Sequence, residues 1–204
     1  MAKKVSLKVK RIFDIIAAIG GLIVFSPILI ISAFLIRINL GSPVIFKQKR
    51  IGKDNKEFEI MKFRTMKNTM DKNGKKLPDE LRMTKLGKKL RNLSIDELPE
   101  LINILKGEMS LIGPRPLLPQ YIPLYNKNQI RRHEAMPGLT GFAQVNGRNN
   151  LSWHEKFKLD VYYVDNWSLK LDIKIFFMTF YKIFKREGIN EKNHATVEYF
   201  NGDN

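Results

Sequence analysis

One long apolar run near the N-terminus constrains the fold of this chain more than any other feature. Residues 15–36, IIAAIGGLIVFSPILIISAFLI, form a stretch of 22 residues without a charged side chain. About 20 such residues are enough for one helix to cross a bilayer. The run exceeds the roughly 7–15 apolar residues of a signal peptide, and no A-x-A cleavage pattern follows it. The run therefore predicts association with a membrane.

The dipeptide Ser26-Pro27 interrupts this run near its middle. Proline lacks an N–H group and clashes with the carbonyl four residues earlier, so it kinks a helix. A serine at such a kink can bond to a carbonyl that the kink frees. Each half then measures about 17 Å, which is too short for a hydrocarbon core of roughly 30 Å. We predict two short helices here, with a single spanning helix as the alternative.

Both flanks of the run are basic. The cations before it are Lys3, Lys4, Lys8, Lys10 and Arg11, and those after it are Arg37, Lys47, Lys49, Arg50 and Lys53. Because Lys and Arg concentrate on the cytoplasmic side of a membrane, both flanks are satisfied together if the chain enters one leaflet and returns. Residues 1–40 are therefore predicted to form a re-entrant membrane helix with a basic flank.

The net positive charge of the chain limits the kinds of molecule that it is expected to bind. The chain has 204 residues, 36 Lys plus Arg against 20 Asp plus Glu, and a net charge of +16. Such a charge implies an anionic partner, namely nucleic acid, anionic membrane lipids or a phosphorylated substrate. We expect no nucleic-acid partner, since no reading helix or standard motif is present. The absence of cysteine excludes disulfides, zinc–thiolate sites, iron–sulfur clusters and a cysteine nucleophile.

The rest of the chain predicts a mixed α/β fold that is mainly helical, a compact membrane-associated domain with a small sheet. We place this domain at residues 41–187 and a polar, mobile tail at 188–204. Strands are predicted at 44–52 and 58–66, helices at 84–93, 94–108 and 169–187, a loop at 137–150, and a helix followed by a strand at 153–168.

The predicted helix 169–187 mixes aromatic side chains with lysine and arginine. This pattern is typical of an amphipathic helix that lies in the membrane interface. A helix packed on the protein core with its basic face in water gives the same pattern, so both interpretations stay open.

The segment RNLSIDELP, residues 91–99, is the strongest candidate for chemistry. Ser94 and Glu97 match a capping box, so a well-formed helix start explains much of it. That interpretation does not explain why Asp96 and Glu97 are adjacent carboxylates close to the cation Arg91. Carboxylates, cations and helix N–H groups together suit a divalent metal and a phosphate. A carboxylate can also attack phosphorus as a nucleophile.

Other side chains are candidates for substrate contacts. Lys62 and Arg64 in KFRTM, and Arg115 between two prolines, could bind phosphate, although any one of them could equally be a solvated surface charge. In GFAQVNGRNN, Gln144, Asn146 and Arg148 alternate with glycine and could bind a polar base or sugar. A turn with local side-chain bonds is the alternative there.

Taken together, these segments resemble the bacterial sugar transferases known as monotopic phosphoglycosyl transferases. The matching segments follow the family's order over about residues 10–187: KRIFDI with the Ser26-Pro27 break, GSPVIFKQKRIG, FEIMKFRTM, LRNLSIDELPELINILKGEMSLIGPRPLL, PGLTGFAQVNGRN and KFKLDVYYVDNWS. The chain resembles the small form of the family. Phe142 stands where relatives often carry Trp, so an aromatic ring is retained.

The resemblance implies transfer of a phospho-sugar from a UDP-sugar to polyprenyl phosphate, with undecaprenyl phosphate as the expected acceptor and UMP as the other product. It makes Asp96 the nucleophile and a Mg²⁺ ligand, with Glu97 as its partner. It places Arg91 and Arg115 near the phosphates and Arg148 near the uridine. It also implies a monotopic protein at the cytoplasmic face of the bacterial inner membrane, an N-acetylated amino sugar such as diacetylated bacillosamine, and a possible homo-oligomer.

Three other functions stay open at this point. The first is direct transfer in a ternary complex, with both carboxylates binding only metal. The second is a non-enzymatic module that binds anionic lipid, which explains the charge and the apolar run but not the carboxylate pair. The third is a membrane-tethered nucleic-acid binder.

Overall fold

The part of the chain that the structure describes is a mainly helical α/β fold with two small sheets. The computed structural model describes residues 2–147, 151–185 and 199–204. Its α-helices are α1 (Ala2–Val24), α2 (Ser26–Leu40), α3 (Asp79–Arg82), α4 (Lys85–Asn92), α5 (Glu100–Lys106), α6 (Phe142–Asn146), α7 (Trp153–Asp165) and α8 (Leu169–Lys185). The strands are β1 (Ile45–Ile51), β2 (Glu57–Phe63), β3 (Ser110–Ile112) and β4 (Gly138–Thr140). Within the described residues, 3-10 helices cover Lys53–Asn55, Ile95–Glu97, Pro119–Leu124 and Gln129–Glu134.

The predicted break in the apolar run is confirmed. α1 ends at Val24, α2 begins at Ser26, and the hydroxyl of Ser26 donates to the carbonyl of Ile23 over 2.7 Å. Among the residues that the structure describes, no single helix has the length and apolar character to cross a membrane. The pair of helices Val5–Val24 and Ser26–Leu40, bent by 62°, is together long and apolar enough, judged by length and composition alone.

Both helices of this pair pack on the body of the protein along one side. Ala18 of α1 lies in a core cluster with Leu101 and Ile104 of α5, and Ile36 of α2 packs with Phe63 and Leu90. The opposite sides carry exposed apolar side chains, among them Ile16, Ile23, Ile30, Phe34 and Ile38. A buried ion pair of 2.7 Å between Lys10 and Asp172 joins α1 to α8.

Two candidate residues lie on or next to the sheets, since Lys62 is part of β2 and Arg115 follows β3. β1 and β2 form an antiparallel hairpin in which Gln48 pairs with Ile60, and β3 and β4 run parallel with Ser110 opposite Gly138. α4 lies so close to the segment after β2 that a Cβ atom at Gly87 would overlap the carbonyl of Thr65. Glycine is therefore required at this approach.

Several predicted boundaries are wrong. The segment 94–108 is a 3-10 turn followed by the seven-residue α5, rather than one helix. The predicted strand near the end of 153–168 is absent among the described residues, since α7 runs as a helix to Asp165. The predicted loop 137–150 contains β4 and α6 in its described part, residues 137–147.

The predicted tail also differs from expectation. Phe200 is only 3% exposed and packs against Tyr121 and Phe157, so the prediction of a mobile tail is wrong at this residue. Both interpretations of the α8 sequence stay open. Ile175 is fully buried in the core, whereas Phe177 on the same helix is 67% exposed.

Candidate active site

Asp96 and Glu97 lie in the 3-10 turn Ile95–Glu97, between α4 and α5. Ser94 before the turn is in the left-handed region with φ of 55°, and its side chain makes no cap hydrogen bond. The predicted capping box is therefore wrong. Pro99 precedes α5 and has no N–H to donate, so the regular helix begins only at Glu100. The capping box that does form lies at the start of α7, between Ser152 and Glu155.

Glu97 accepts hydrogen bonds from cations on two separate segments. Lys62 Nζ of β2 and Arg115 Nη2 of the segment after β3 each lie 2.6 Å from Glu97 Oε1. Burial would raise the pKa of Glu97, but the positive charges of Arg115 and Lys62 outweigh it and hold this pKa well below its usual range. Glu97 is thus a fixed anion that orients the two predicted phosphate-binding cations.

Asp96 is placed differently from its neighbour. The residue is only 8% exposed, yet within the described part of the chain its carboxylate accepts no hydrogen bond and forms no ion pair within 4.0 Å. Burial and the negative charge of Glu97 raise its pKa, against the positive charges of Lys62, Arg91 and Arg115. The Asp96 carboxylate is therefore free for an incoming group, and its basicity is higher than that of an ordinary aspartate.

Sequence reasoning did not identify Glu100, which contacts Lys62 beside Glu97. This residue is 1% exposed, and its Oε1 lies 3.0 Å from Lys62 Nζ. Burial raises the pKa of Glu100 to about 7, against the charge of Lys62. Its spacing of three residues from Glu97 was the available signal, because residues three apart share a face of a helical turn.

Arg64 and Arg91, the two predicted arginines that precede Asp96 and Glu97 in the sequence, have different surroundings. Arg91 of α4 donates from Nε to the hydroxyl of Thr65 over 3.1 Å. Its positive charge acts to lower the pKa of Asp96. Arg64 donates instead to the backbone carbonyls of Leu40, Gly41 and Ser42, at the C-terminal end of α2. These bonds give Arg64 a role in fixing the end of α2, and its phosphate contact stays a prediction.

The backbone of Arg115 is bound by the buried ion pair of Arg132 and Asp160. Arg132 donates to the carbonyl of Arg115 over 2.7 Å and to the carboxylate of Asp160 over 2.7 and 3.0 Å. Arg132 and Asp160 are 2% and 3% exposed. The flanking prolines are thus only part of what makes this segment stiff, because the Arg132–Asp160 pair fixes its backbone as well.

A second arginine that sequence reasoning did not single out is Arg50 of β1. Its Nε atom is buried and has no hydrogen-bond partner among the described residues, and its Nη2 donates to Gln48 over 2.7 Å. Burial and the charge of Arg115 lower the pKa of Arg50 to about 10. Two arginine charges that repel each other favour an anionic ligand nearby.

The predicted base- or sugar-binding residues lie on or after α6. The Gln144 amide is buried and has no hydrogen-bond partner among the described residues, whereas Asn146 bonds to the carbonyl of Phe142 in its own helix. No hydrogen bond joins either side chain to Asp96 or Glu97 within the described ranges. Arg148 lies outside the described residues.

The carboxylates fit a magnesium ion only in part. The described residues contain no group of three or more His, Asp or Glu side chains arranged to hold a metal. Mg²⁺ commonly uses one or two carboxylates together with substrate phosphates and water, so a complete protein cage is not required. Asp96 has the free oxygens for such a bond, whereas Glu97 Oε1 is already shared by two cations.

Comparison with known proteins identifies the family. The family model described as bacterial sugar transferase matches residues 5–186. The chain belongs to the bacterial sugar transferase family. It is accordingly an enzyme, a phosphoglycosyl transferase, and the non-enzymatic lipid-binding alternative is wrong.

Three relatives within this family are informative. The chain is 54% identical over 193 residues to EpsL of Bacillus subtilis (strain 168), an uncharacterized sugar transferase, covering 95% of this chain and 96% of EpsL. It is 40% identical to the UDP-N-acetylgalactosamine-undecaprenyl-phosphate N-acetylgalactosaminephosphotransferase of Aeromonas hydrophila, covering 84% of this chain and 42% of the relative. It is 39% identical to the UDP-glucose:undecaprenyl-phosphate glucose-1-phosphate transferase of Klebsiella pneumoniae, covering 88% of this chain and 41% of the relative.

Proposed function

We propose that this phosphoglycosyl transferase moves a phospho-sugar from a UDP-sugar to polyprenyl phosphate, with undecaprenyl phosphate as the acceptor and UMP as the leaving product. The names of the Aeromonas and Klebsiella relatives support the donor and acceptor classes. Those relatives use different sugars, so the N-acetylated amino sugar is proposed from the resemblance to the small form. The observation that carries the proposal is the Asp96 carboxylate, which is buried near cations and accepts no hydrogen bond from the part of the chain that the structure describes.

In the first step, an oxygen of Asp96 attacks the β-phosphorus, which bears the sugar. A bond forms between this oxygen and phosphorus, and the bond from phosphorus to the bridging oxygen breaks, so that UMP leaves with the electron pair. Lys62 and Arg115, which Glu97 holds at 2.6 Å each, stabilise the charge on the phosphate oxygens. Mg²⁺, when bound to Asp96 and the diphosphate, would neutralise further negative charge.

In the second step, an oxygen of the polyprenyl phosphate attacks the same phosphorus. The bond from Asp96 to phosphorus breaks, the aspartate regains its carboxylate, and the product is the polyprenyl-diphosphate-linked sugar. Glu97 acts as a positioning residue in both steps, because its low pKa keeps it ionised while it orients Lys62 and Arg115.

We further propose that α1 and α2 form a re-entrant hairpin, which makes the protein monotopic at the cytoplasmic face of the inner membrane. The break at Ser26, the bend of 62° and the two basic flanks support this arrangement. Cysteine-specific labelling of A2C and S42C variants in sealed cells tests it, since the natural chain has no cysteine. Access to both positions from the cytoplasmic side is expected, and access from opposite sides would overturn the hairpin.

The D96N variant tests the chemistry, and D165N at the exposed end of α7 is the matched control. With UDP-sugar and Mg²⁺ but no acceptor, wild type and D165N should release about one equivalent of UMP and gain the mass of one phospho-sugar. D96N should release no UMP and gain no mass, with its thermal unfolding unchanged.

Full turnover by D96N would refute Asp96 as the nucleophile. Turnover by wild type that shows neither UMP release nor an adduct without acceptor would instead establish direct transfer in a ternary complex. A panel of radiolabelled UDP-sugars with polyprenyl phosphate identifies the sugar, and failure of all N-acetylated amino sugars would refute that part of the proposal.

A further inference from the structure

An open cavity of about 310 Å³ lies beside the C-terminal end of α2. It is lined by the end of α2, the loop after β2, α3 and the start of α4, through residues that include Asn39, Lys67, Leu81, Arg82, Lys85 and Leu86. None of the side chains in the Asp96–Glu97 cluster contributes to this lining. The cavity is thus separate from the candidate active site.

The polar part of the lining is cationic. Arg82 forms an ion pair of 3.2 Å with Asp79 and donates from Nε to the carbonyl of Lys67. Lys67 and Lys85 are exposed, and neither forms an ion pair with any residue in the described part of the chain. Two lysines that line one cavity and have no carboxylate partner among the described residues attract an anion, and a phosphate can accept hydrogen bonds from lysine ammonium groups.

The apolar part of the lining continues onto α2. Leu81 at the cavity is 69% exposed. The last turns of α2, which lead to Asn39, expose Ile31, Phe34, Leu35 and Ile38 by 58%, 64%, 39% and 65%. Their spacing of three and four residues puts them on one face of the helix. A cationic cavity thus meets an apolar stripe, and this combination matches a molecule with a phosphate group and long hydrocarbon chains.

We propose that this cavity binds the phosphate headgroup of an anionic phospholipid, with its acyl chains along the α2 stripe. The headgroup contacts Lys67 and Lys85, while Arg82 stays paired with Asp79. The orientation of the acyl chains depends on the proposed membrane arrangement of α1 and α2. Such a lipid would fix the depth at which the body of the enzyme meets the bilayer surface.

The test uses the full chain in an uncharged detergent. Native mass spectrometry measures retention of one phosphatidylglycerol molecule and, in parallel, of phosphatidylcholine with the same acyl chains. The K67Q/K85Q variant removes both proposed contacts, and K72Q/K127Q removes the same charge at exposed lysines that do not line the cavity. Thermal unfolding of both variants shows that they fold.

Wild type and K72Q/K127Q should retain phosphatidylglycerol at much lower concentration than phosphatidylcholine. K67Q/K85Q should weaken phosphatidylglycerol binding roughly thirtyfold, from the contribution of two lysines close to an anionic headgroup. Equal retention of the two lipids, or wild-type binding by K67Q/K85Q, would overturn the proposal. Equally effective competition by glycerol phosphate would overturn it as well, because that result would show a site for free phosphate.

Magnesium-dependent UMP release is measured on the same preparations as a separate readout. Its absence from wild type would refute the proposed function and leave the lipid measurement standing. Conversely, loss of lipid preference with UMP release intact would refute only the lipid site.

Discussion

We predict that Glu100 makes the folding stability of this enzyme depend on pH between about 4.5 and 7. The side chain is 1% exposed, and burial raises its pKa from 4.5 to about 7 despite the nearby charge of Lys62. An acid with a higher pKa in the folded state than in the unfolded state binds more protons when folded. Between pH 4.5 and 7 the free energy of unfolding therefore decreases as the pH rises, and it levels off above the folded pKa.

The magnitude follows from the two pKa values. The difference between 4.5 and about 7 corresponds to about 3 kcal/mol, and about 2 to 3 kcal/mol of it falls between pH 5 and pH 8. The E100Q variant removes this ionisation and keeps the side-chain volume. The free energy of unfolding of wild type, relative to that of E100Q, should thus decrease by this amount over the interval.

Urea unfolding of both proteins at pH 5, 6, 7 and 8 without Mg²⁺, followed by tryptophan fluorescence, measures the difference. E80Q, at an exposed position of α3, is the matched control and should show no such trend relative to wild type. A difference between wild type and E100Q that stays constant within about 0.5 kcal/mol from pH 5 to pH 8 would refute the reasoning, because the measurement itself resolves changes of this size. An increase with pH would show that Lys62 outweighs burial.

Two further variants probe the buried contacts that position the site. D160N leaves the Arg132 guanidinium buried without its charged partner and should cost about 3–5 kcal/mol in the free energy of unfolding; a loss below about 1 kcal/mol would contradict this. N103A removes a fully buried amide that accepts from Met61 N and donates to Glu59 O, so we expect a loss of about 3 kcal/mol by urea unfolding. N73A is the control, at an exposed turn position whose side chain makes no hydrogen bond within the described residues, and it should cost less than half of that.

Much of the local structure could be predicted from the sequence because short-range rules govern it. The proline at residue 27 and the serine before it located the break between α1 and α2. Alternating polarity located the β1–β2 hairpin, and apolar periodicity located α4 and α8 to within two residues at their described ends. The same rules failed at Ser94 and Glu97, where a capping-box pattern was present but the Glu97 carboxylate is engaged by Lys62 and Arg115. An ion pair with two cations outweighs a single helix-cap bond.

The sequence by itself determined that this chain has a broken apolar run between basic flanks and a pair of adjacent carboxylates rich in neighbouring cations. Only the tertiary structure decided which carboxylate is bound and which is free. Glu97 meets partners 35 and 18 residues away, Arg64 is held at the end of α2, and Glu100 is enclosed with Lys62. The reason is physical: turns and breaks follow from neighbours along the chain, whereas burial and charge pairing depend on segments that become neighbours only when the chain folds.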